Sequence, residues 1–260
     1  MNVRHERLVV CLVMCLAGAA NGADQESVQL TPADTVLKAL KPLSTGFSET
    51  YFFEHSATGR KVGCSELSLT VREHEGKQVY EYRHLIENKF KANRSTTVVT
   101  ARLTPQFHPL EIQIERRTAP ASGVATITRE LAVIEGREIV LTTASDRGTD
   151  SRRVPLPKQA FAYGMALLME RIDFDKFKVF MMPELDPKTG KPFTYKISSE
   201  LEPDGKRKIR ATWGAPDKAY HFDLDKEGRL EGWGQVPPAV EAKRITADQF
   251  VQLKKSLGLD

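Results

Sequence analysis

Cysteine is scarce in this sequence of 260 residues, which contains Cys11, Cys15 and Cys64. The first two lie in an apolar segment near the start of the chain that we expect to be removed, so that Cys64 alone would remain. Because one cysteine cannot form an intramolecular disulfide, a small disulfide-bonded scaffold is excluded. A cysteine-rich zinc site is excluded for the same reason.

The motifs of common catalytic and metal sites are also missing from the sequence. It has no His-Glu-x-x-His or His-x-His pair, no Gly-x-Ser-x-Gly turn and no glycine-rich phosphate loop. We therefore expect no catalytic residues, no metal site and no cofactor. The sequence predicts a protein that is not an enzyme.

The first residues have the layout of a secretory signal peptide. A short basic segment, Met1–Arg7, precedes the apolar run Leu8–Ala20, and small residues follow. This run is shorter than the roughly 20 apolar residues that a membrane-spanning helix needs. We predict a signal peptide at residues 1–22, cleavage between Gly22 and Ala23, and a periplasmic or secreted protein. An uncleaved anchor and a lipoprotein acylated at Cys15 are the alternatives, the latter disfavoured because Met14 precedes the cysteine.

Charges of both signs are spread along the remaining chain. The formal net charge is +4 and becomes +3 when Arg4, Arg7 and Glu6 leave with the signal peptide. Such a mixed surface differs from the focused basic field of a nucleic-acid-binding protein. No second run of about 18 apolar residues occurs. We therefore expect no nucleic-acid partner and a protein that is peripheral to the membrane at most.

Helix signals occur at three places in the chain. Thr31 and Pro32 are typical of a helix start, which predicts an N-terminal helix and lead-in at residues 23–45. The apolar stripe Phe161, Met165, Leu168, Met169 and Ile172 predicts a central helix at residues 158–172. The pattern Thr246-Ala-Asp-Gln249 is a capping box, which predicts a last helix within residues 237–260.

Between these helices the pattern is that of β-strands. Leu110, Ile112 and Ile114 alternate with polar residues, and Glu75-Gly76 and Pro203-Asp204-Gly205 are turn signals. Arg147–Pro157 reads as a polar loop. The sequence predicts a mainly β (α+β) domain at residues 46–236, in which about ten antiparallel strands form a strongly curved sheet or open barrel around the central helix.

Cys64 and the segment from Asp223 to Leu230 each match part of a known kind of functional site. Cys64 as a nucleophile would need a nearby imidazole, but a hairpin turning at Glu75-Gly76 puts it opposite about Glu87, and His84 opposite about Leu67. The segment from Asp223 to Leu230 resembles part of a calcium loop, but position 12 is Gly234, and a hairpin turn explains the same residues.

Aromatic residues recur on several predicted strands and could line a cavity or fill a core. We take Tyr80, Tyr82, Phe161, Met165 and Trp213 as candidates for ligand binding on the concave face of the sheet.

The order of elements resembles an uncharacterised periplasmic β-sheet family of unknown function, which is similar in shape to LolA/LolB-type lipoprotein carriers. The resemblance covers about residues 45–235 and includes the Val154-Pro-Leu-Pro157 loop, the Phe161–Ile172 helix and the Phe222–Leu230 segment. It implies a curved antiparallel sheet with a helix in its concavity, and an apolar or lipid-bearing ligand. The resemblance assigns no functional residue to this chain.

Together these features predict an exported, non-enzymatic binding or envelope-maintenance module. Its partner would be a lipid or other apolar or amphiphilic ligand, or an envelope protein, held on the concave face. One alternative is a secreted polysaccharide hydrolase with an acidic pair drawn from Asp173, Asp175, Asp223 and Asp225. The other is a structural protein that binds a partner at an exposed sheet edge.

Overall fold

The computed structural model describes residues 30–90, 92–120, 122–214, 218–236 and 240–259, and the structural statements below concern these residues. The predicted signal peptide at residues 1–22 and its cleavage site between Gly22 and Ala23 lie outside them. Within the described ranges, no helix is long and apolar enough to cross a membrane.

Fourteen strands form one antiparallel sheet, and three short helices accompany it. The strands are β1 (Ser48–Ala57), β2 (Arg60–His74), β3 (Lys77–Phe90), β4 (Asn93–Leu103), β5 (Pro109–Ala119), β6 (Thr126–Glu135), β7 (Glu138–Ser145), β8 (Gly148–Pro155), β9 (Val179–Leu185), β10 (Pro192–Leu201), β11 (Arg207–Thr212), β12 (Ala219–Leu224), β13 (Leu230–Val236) and β14 (Val240–Ile245). The helices are α1 (Ala33–Lys38), α2 (Met165–Met169) and α3 (Ala247–Leu257).

The sheet consists of two meanders placed side by side. Strands β1 to β8 pair in sequence order, as do β9 to β14, and β1 pairs with β14 to join the two sets. Antiparallel neighbours of this kind need only short connections, which fits the Gly-containing turns in the sequence. Strands β8 and β9 are left at the two ends of the sheet.

The two ends of the sheet approach each other without pairing. The turn between β9 and β10 packs at Gly190 against the side chains of Leu141 and Val154, and an added Cβ would collide with Val154. The Arg152 guanidinium donates a hydrogen bond to the Lys188 carbonyl oxygen at 3.0 Å. The described strands therefore form a curled, barrel-like sheet that is not closed by pairing of β8 with β9.

The predicted mainly β class and the antiparallel sheet are confirmed, but the predicted count of about ten strands is wrong. Strand β8 occupies the Arg147–Pro157 segment that was predicted as a polar loop. Its residues from Gly148 to Arg153 are exposed, so it has no apolar alternation, and backbone pairing with β7 alone defines it. Strand β14 is also missing from the prediction, because its six residues lie between Pro237-Pro238 and the capping box of the last helix.

The central helix is shorter than the sequence stripe at residues 158–172 predicts. Helix α2 begins after Gly164, which has a φ of +80° and ends any helix coming from the preceding residues. Before it, Ala162 forms a parallel bridge to Glu184 of β9, so this segment is extended. All five stripe residues are nevertheless buried, which shows that the pattern identified the buried face but not the length of the helix.

The main core lies on the concave face of the sheet. The register aligns Leu69 with Tyr82, Tyr82 with Ala101 and Ala101 with Ile112, so alternation places one apolar row inside. Leu167, Leu168 and Met169 of α2 belong to the same buried cluster, as do Val36 and Leu37 of α1. The helix is therefore part of the packing in the hollow.

Helix α3 covers part of the outer face and forms a second, smaller core. Phe250 stacks near Phe52 of β1 with ring centroids 4.9 Å apart, and Leu253 and Leu259 pack with Cys64. The predicted capping box is confirmed, because the Thr246 hydroxyl accepts from the Gln249 backbone N–H at 3.2 Å and the Gln249 side chain bonds the Thr246 backbone at 2.9 Å.

Removing this cap should loosen α3 and uncover Cys64. We expect Thr246→Ala to lower the free energy of unfolding by about 1 kcal/mol, because one N-terminal N–H of the helix loses its acceptor. Denaturant unfolding measures this loss, and the rate of thiol labelling at Cys64, followed by peptide mass spectrometry, should rise. The control is Thr126→Ala, which changes an exposed residue of β6. Equal labelling rates in both variants would contradict the expectation.

Candidate ligand-binding interior

The concave face changes character along the strands. Near the turn after β2 it is apolar, and Tyr80 meets Phe107 edge to face at 5.7 Å. Toward the turns after β1, β3 and β9 it carries aromatic and polar side chains. We call this second part the upper interior, and it consists of His55, Tyr82, His84, Tyr163, Glu184, Phe193, Tyr195, Trp213, Tyr220 and Trp233.

One wall of the upper interior is a group of aromatic rings on β10 to β12. Trp213 stacks on Tyr220 with ring centroids 4.9 Å apart and an interplanar angle of 26°. Tyr195 meets both rings, at 5.7 and 6.0 Å, and Phe193 lies 4.9 Å from Tyr195. Trp213, Tyr220 and Phe193 are only partly buried, so this wall presents apolar surface that the protein does not cover completely.

The facing wall combines rings with imidazoles. Tyr82 of β3 contacts Tyr163 at 6.1 Å and His84 at 6.5 Å, each in an edge-to-face arrangement. His84 contacts Trp233 of β13 at 6.2 Å. Because Gly164 places its backbone directly against the Tyr82 ring, a Cβ there would lie 3.2 Å from a ring carbon. The chain entering α2 therefore holds this wall in position.

Glu184 is the carboxyl group of the upper interior. It accepts hydrogen bonds from the Tyr195 hydroxyl and from the backbone N–H groups of Gly164 and Met165, at the start of α2. Burial raises its pKa to about 7, an effect that these hydrogen bonds oppose. Burial, with a smaller contribution from the charge of Glu184, raises the pKa of Tyr220 to about 12.

Both imidazoles of the upper interior are held neutral by burial. His55 is 2% exposed, and burial lowers its pKa to about 4. Its Nε2 lies 2.8 Å from the Ser65 hydroxyl and its Nδ1 lies 3.3 Å from the side-chain amide oxygen Oδ1 of Asn88, so both ring nitrogens have partners. Burial, together with the nearby His55, lowers the pKa of His84 to about 3.

Among the residues that the structure describes, two buried nitrogen atoms of this region have no hydrogen-bond partner. They are Nε2 of His84 and Nε1 of Trp233, which belong to rings in contact with each other. Buried polar groups are nearly always satisfied, and leaving one unsatisfied costs on the order of 1–3 kcal/mol. These two atoms lie on rings that contact each other, so the unsatisfied polar groups of the upper interior are close together.

The five residues predicted as ligand candidates all contribute to the concave face or its packing. Tyr82 and Trp213 lie in the upper interior. Tyr80 is buried in the apolar half, where its hydroxyl accepts from the Leu43 backbone N–H at 2.7 Å. Phe161 and Met165 pack in the core around α2. The candidates therefore fall in two different parts of the hollow.

Glu184 and His84 were missed among the candidates for the interior. Glu184 alternates with the buried apolar residues Phe180 and Met182 on one face of β9. His84 alternates in the same way with Tyr80 and Tyr82 on β3. A polar residue in an inward-facing alternation is a readable signal, since such a side chain must find partners inside the protein.

The four aspartates of the hydrolase hypothesis do not come together as an acid pair. The Asp173 carboxylate accepts from backbone N–H groups of its own turn, and Asp175 pairs with Arg207 at 2.6 Å. Asp223 lies on the outward face of β12, opposite to the inward Phe222. None of these arrangements leaves two carboxylates facing across a cleft.

The calcium-like segment is the turn between β12 and β13, as the turn interpretation predicted. The Asp225 carboxylate accepts from the backbone N–H groups of Glu227 and Arg229, and Gly228 has a φ of +78°. The second Asp225 oxygen meets Arg244 at 3.3 Å. In the described part of the chain, no three His, Cys, Asp or Glu side chains are grouped as metal ligands.

The predicted positions of Cys64 and the histidines are confirmed. Cys64 pairs with Glu87 and His84 pairs with Leu67 across β2 and β3. Cys64 is buried on the outer face beneath α3, whereas His55 and His84 face the interior. The thiol and the imidazoles therefore lie on opposite faces of the sheet.

A second polar network fixes the end of α2. The Tyr51 hydroxyl donates to the Glu49 carboxylate at 2.5 Å, and Arg171 pairs with Glu49 at 3.0 Å. Glu170 accepts from the Leu230 backbone N–H, and burial raises its pKa to about 7. Because these groups bond one another and the backbone, they tie α2 to β1 and β13.

The fold is thus an open, barrel-like antiparallel sheet with short helices. No protein-family model matches the sequence, and no curated protein matches it. Among solved structures, it is similar to a β-barrel-like protein of the domain of unknown function DUF1849 from Brucella abortus. The two are 10% identical, the match covers 76% of this chain and 95% of that chain, and the TM-score is 0.50.

This similarity shows the fold alone. It confirms the resemblance to an uncharacterised β-sheet domain of unknown function as far as the fold. The LolA/LolB likeness and the periplasmic location stay predictions.

Proposed function

We propose that this protein is an exported, non-enzymatic binding module that takes an apolar or amphiphilic ligand in the upper interior. The supporting observation is the wall of partly exposed rings that faces inward, formed by Phe193, Trp213 and Tyr220. Aromatic surface of this kind favours apolar ligands, and a few polar groups beside it orient them. Glu184, His84 and Trp233 are the polar groups at this position.

A binding role fits the polar groups better than a hydrolytic one. The four aspartates considered for hydrolysis hold turns, pair with cations or face outward. The Glu184 carboxyl is bonded to Tyr195 and to the start of α2. We include a role in envelope maintenance and a role as a lipid carrier in this proposal, because a protein in either role would bind an amphiphile or an envelope protein.

Intrinsic fluorescence tests this proposal directly, because Trp213 and Trp233 are the two tryptophans of the chain and both belong to the upper interior. Titration with monolaurin should shift the emission to shorter wavelength and saturate at one ligand per protein. Tyr220→Ala should weaken binding about tenfold, because one ring of the wall is lost.

The matched control is Leu201→Ala, which removes a side chain that is 59% exposed at the far end of β10. Its affinity for monolaurin should equal that of the wild type. Native mass spectrometry and lipid extraction of the purified protein supply the second readout. A protein that carries no extractable amphiphile and shows no saturable shift would overturn the proposed function.

A further inference from the structure

We propose that the amphiphile is recognised through an uncharged carbonyl oxygen, as in a lipid ester, which accepts hydrogen bonds from the ring N–H groups of His84 and Trp233. This inference rests on the proposed function and names the chemical class of its ligand. It starts from the two buried ring nitrogens without partners, which lie on rings 6.2 Å apart.

The two orphan atoms both offer a proton when His84 is in the tautomer that the Tyr82 hydroxyl favours by donating to Nδ1. The indole Nε1–H of Trp233 is a donor only. The Tyr82 hydroxyl lies 3.5 Å from Nδ1 of His84, and a hydroxyl that donates there places the ring proton of a neutral imidazole on Nε2. The complementary group on a ligand is therefore a hydrogen-bond acceptor.

The protein does not supply this acceptor from the nearest imidazole. His55 also touches Trp233, with ring centroids 5.4 Å apart. Its two nitrogens are engaged by Ser65 and Asn88. Among the described residues, the Trp233 N–H and the His84 Nε2 therefore have no acceptor within the protein.

The charges around this place favour a neutral acceptor over a carboxylate or phosphate. His55 and His84 are uncharged at neutral pH because burial lowers the pKa of each. Arg116, a cation on the same face of the sheet, is paired with Glu130 at 2.8 Å. Glu184 adds negative charge when it ionises. An anionic head group would lose its hydration here without gaining a cation.

Three lauryl probes separate the possibilities at about pH 8: monolaurin with its ester carbonyl, the matching glyceryl ether without it, and laurate with a charged head. In the wild type, monolaurin should bind about two- to tenfold more tightly than the ether, because one hydrogen-bonded acceptor is lost. It should bind at least about tenfold more tightly than laurate. Calorimetry and native mass spectrometry measure the affinities without relying on tryptophan emission.

The variants His84→Phe and Trp233→Phe each remove one N–H group. In each variant, the ratio of the affinity for monolaurin to the affinity for the ether should fall toward one. His74→Phe is the matched control, because it makes the same change at a side chain that is 63% exposed at the other end of β2, and it should keep the preference. The wild-type comparison of ester with ether stands even if a variant fails to fold.

The outcomes distinguish this inference from the proposed function. If none of the three probes binds, the proposed function fails and the inference with it. If ester and ether bind equally well, or if laurate binds as tightly as monolaurin, the carbonyl inference is overturned while the binding function stands. An ester preference that survives both His84→Phe and Trp233→Phe also overturns it.

Discussion

As the pH falls from 6.5 to about 4, the free energy of unfolding of His55→Gln should rise by about 3 kcal/mol relative to that of the wild type. Burial lowers the pKa of His55 in the folded state to about 4 from its ordinary 6.5. Below pH 6.5 the unfolded chain therefore binds a proton that the folded protein cannot take up. The wild type loses this stability on acidification, and a glutamine, which has no such proton, does not.

Glu184→Gln should behave in the opposite direction. Burial raises the pKa of Glu184 to about 7 from 4.5, so the folded protein keeps a proton that the unfolded chain has already lost between these pH values. The wild type is therefore favoured at low pH, and this contribution disappears as the pH rises through 7. As the pH rises from 4.5 to 7, the free energy of unfolding of Glu184→Gln should rise by about 3 kcal/mol relative to that of the wild type.

Denaturant unfolding of the wild type and both variants across this pH range measures the two effects. His74→Gln and Glu75→Gln serve as matched controls, since their side chains are 63% and 85% exposed. Differences from the wild type that stay constant with pH for His55→Gln and Glu184→Gln would show that neither group is buried as the structure places it.

An effect of similar size should come from Gly63→Ala, which we expect to lower the free energy of unfolding by about 3 kcal/mol. A Cβ at this position in β2 would overlap the Asn88 side chain and the Glu87 carbonyl oxygen, and would lie 3.0 Å from the Asn88 Cα. Because two of these obstacles are backbone atoms of β3, the strands must separate to make room. Asn88 is also a partner of His55, so the change should reach the upper interior.

Gly136→Ala supplies the comparison for this glycine. Gly136 has a φ of +63°, and nothing lies within 4 Å of an added Cβ. Gly136→Ala should therefore lower the free energy of unfolding by about 1 kcal/mol, through backbone strain alone. Adding Asn88→Ala to Gly63→Ala should restore part of the loss but not all, because the Glu87 carbonyl stays in place. Equal unfolding free energies for Gly63→Ala and Gly136→Ala would show that β2 and β3 are less closely packed here than the structure has them.

Much of the local structure was predictable because it depends on residues close together in the chain. The turn at Glu75-Gly76 fixes the register of β2 and β3, and Cys64 and His84 pair as predicted with Glu87 and Leu67. The capping box at Thr246 likewise requires only its own four residues. Such features carry their own signals, namely alternation, turn residues and caps.

Less of the candidate site was predictable, because its members come from distant strands. Tyr82 and Trp213 were identified as inward-facing aromatics, but the pattern did not tell them from Tyr80 and Phe161, which pack in the core. Glu184 acquires its partners from β10 and from the start of α2. The alternation on β9 indicates that Glu184 faces inward and needs partners, but it does not indicate which strands or helices supply them.

The amino-acid pattern by itself determined that this chain forms antiparallel strands with an apolar inward face and a capped last helix, since side-chain alternation and turn chemistry act locally. Tertiary structure decided the rest. The exposed strand β8 exists because β7 offers it a backbone partner. Helix α2 is short because Gly164 and the bridge of Ala162 to β9 hold the preceding residues extended. The rings of the upper interior meet because the sheet curls, which brings strands far apart in sequence to face one another.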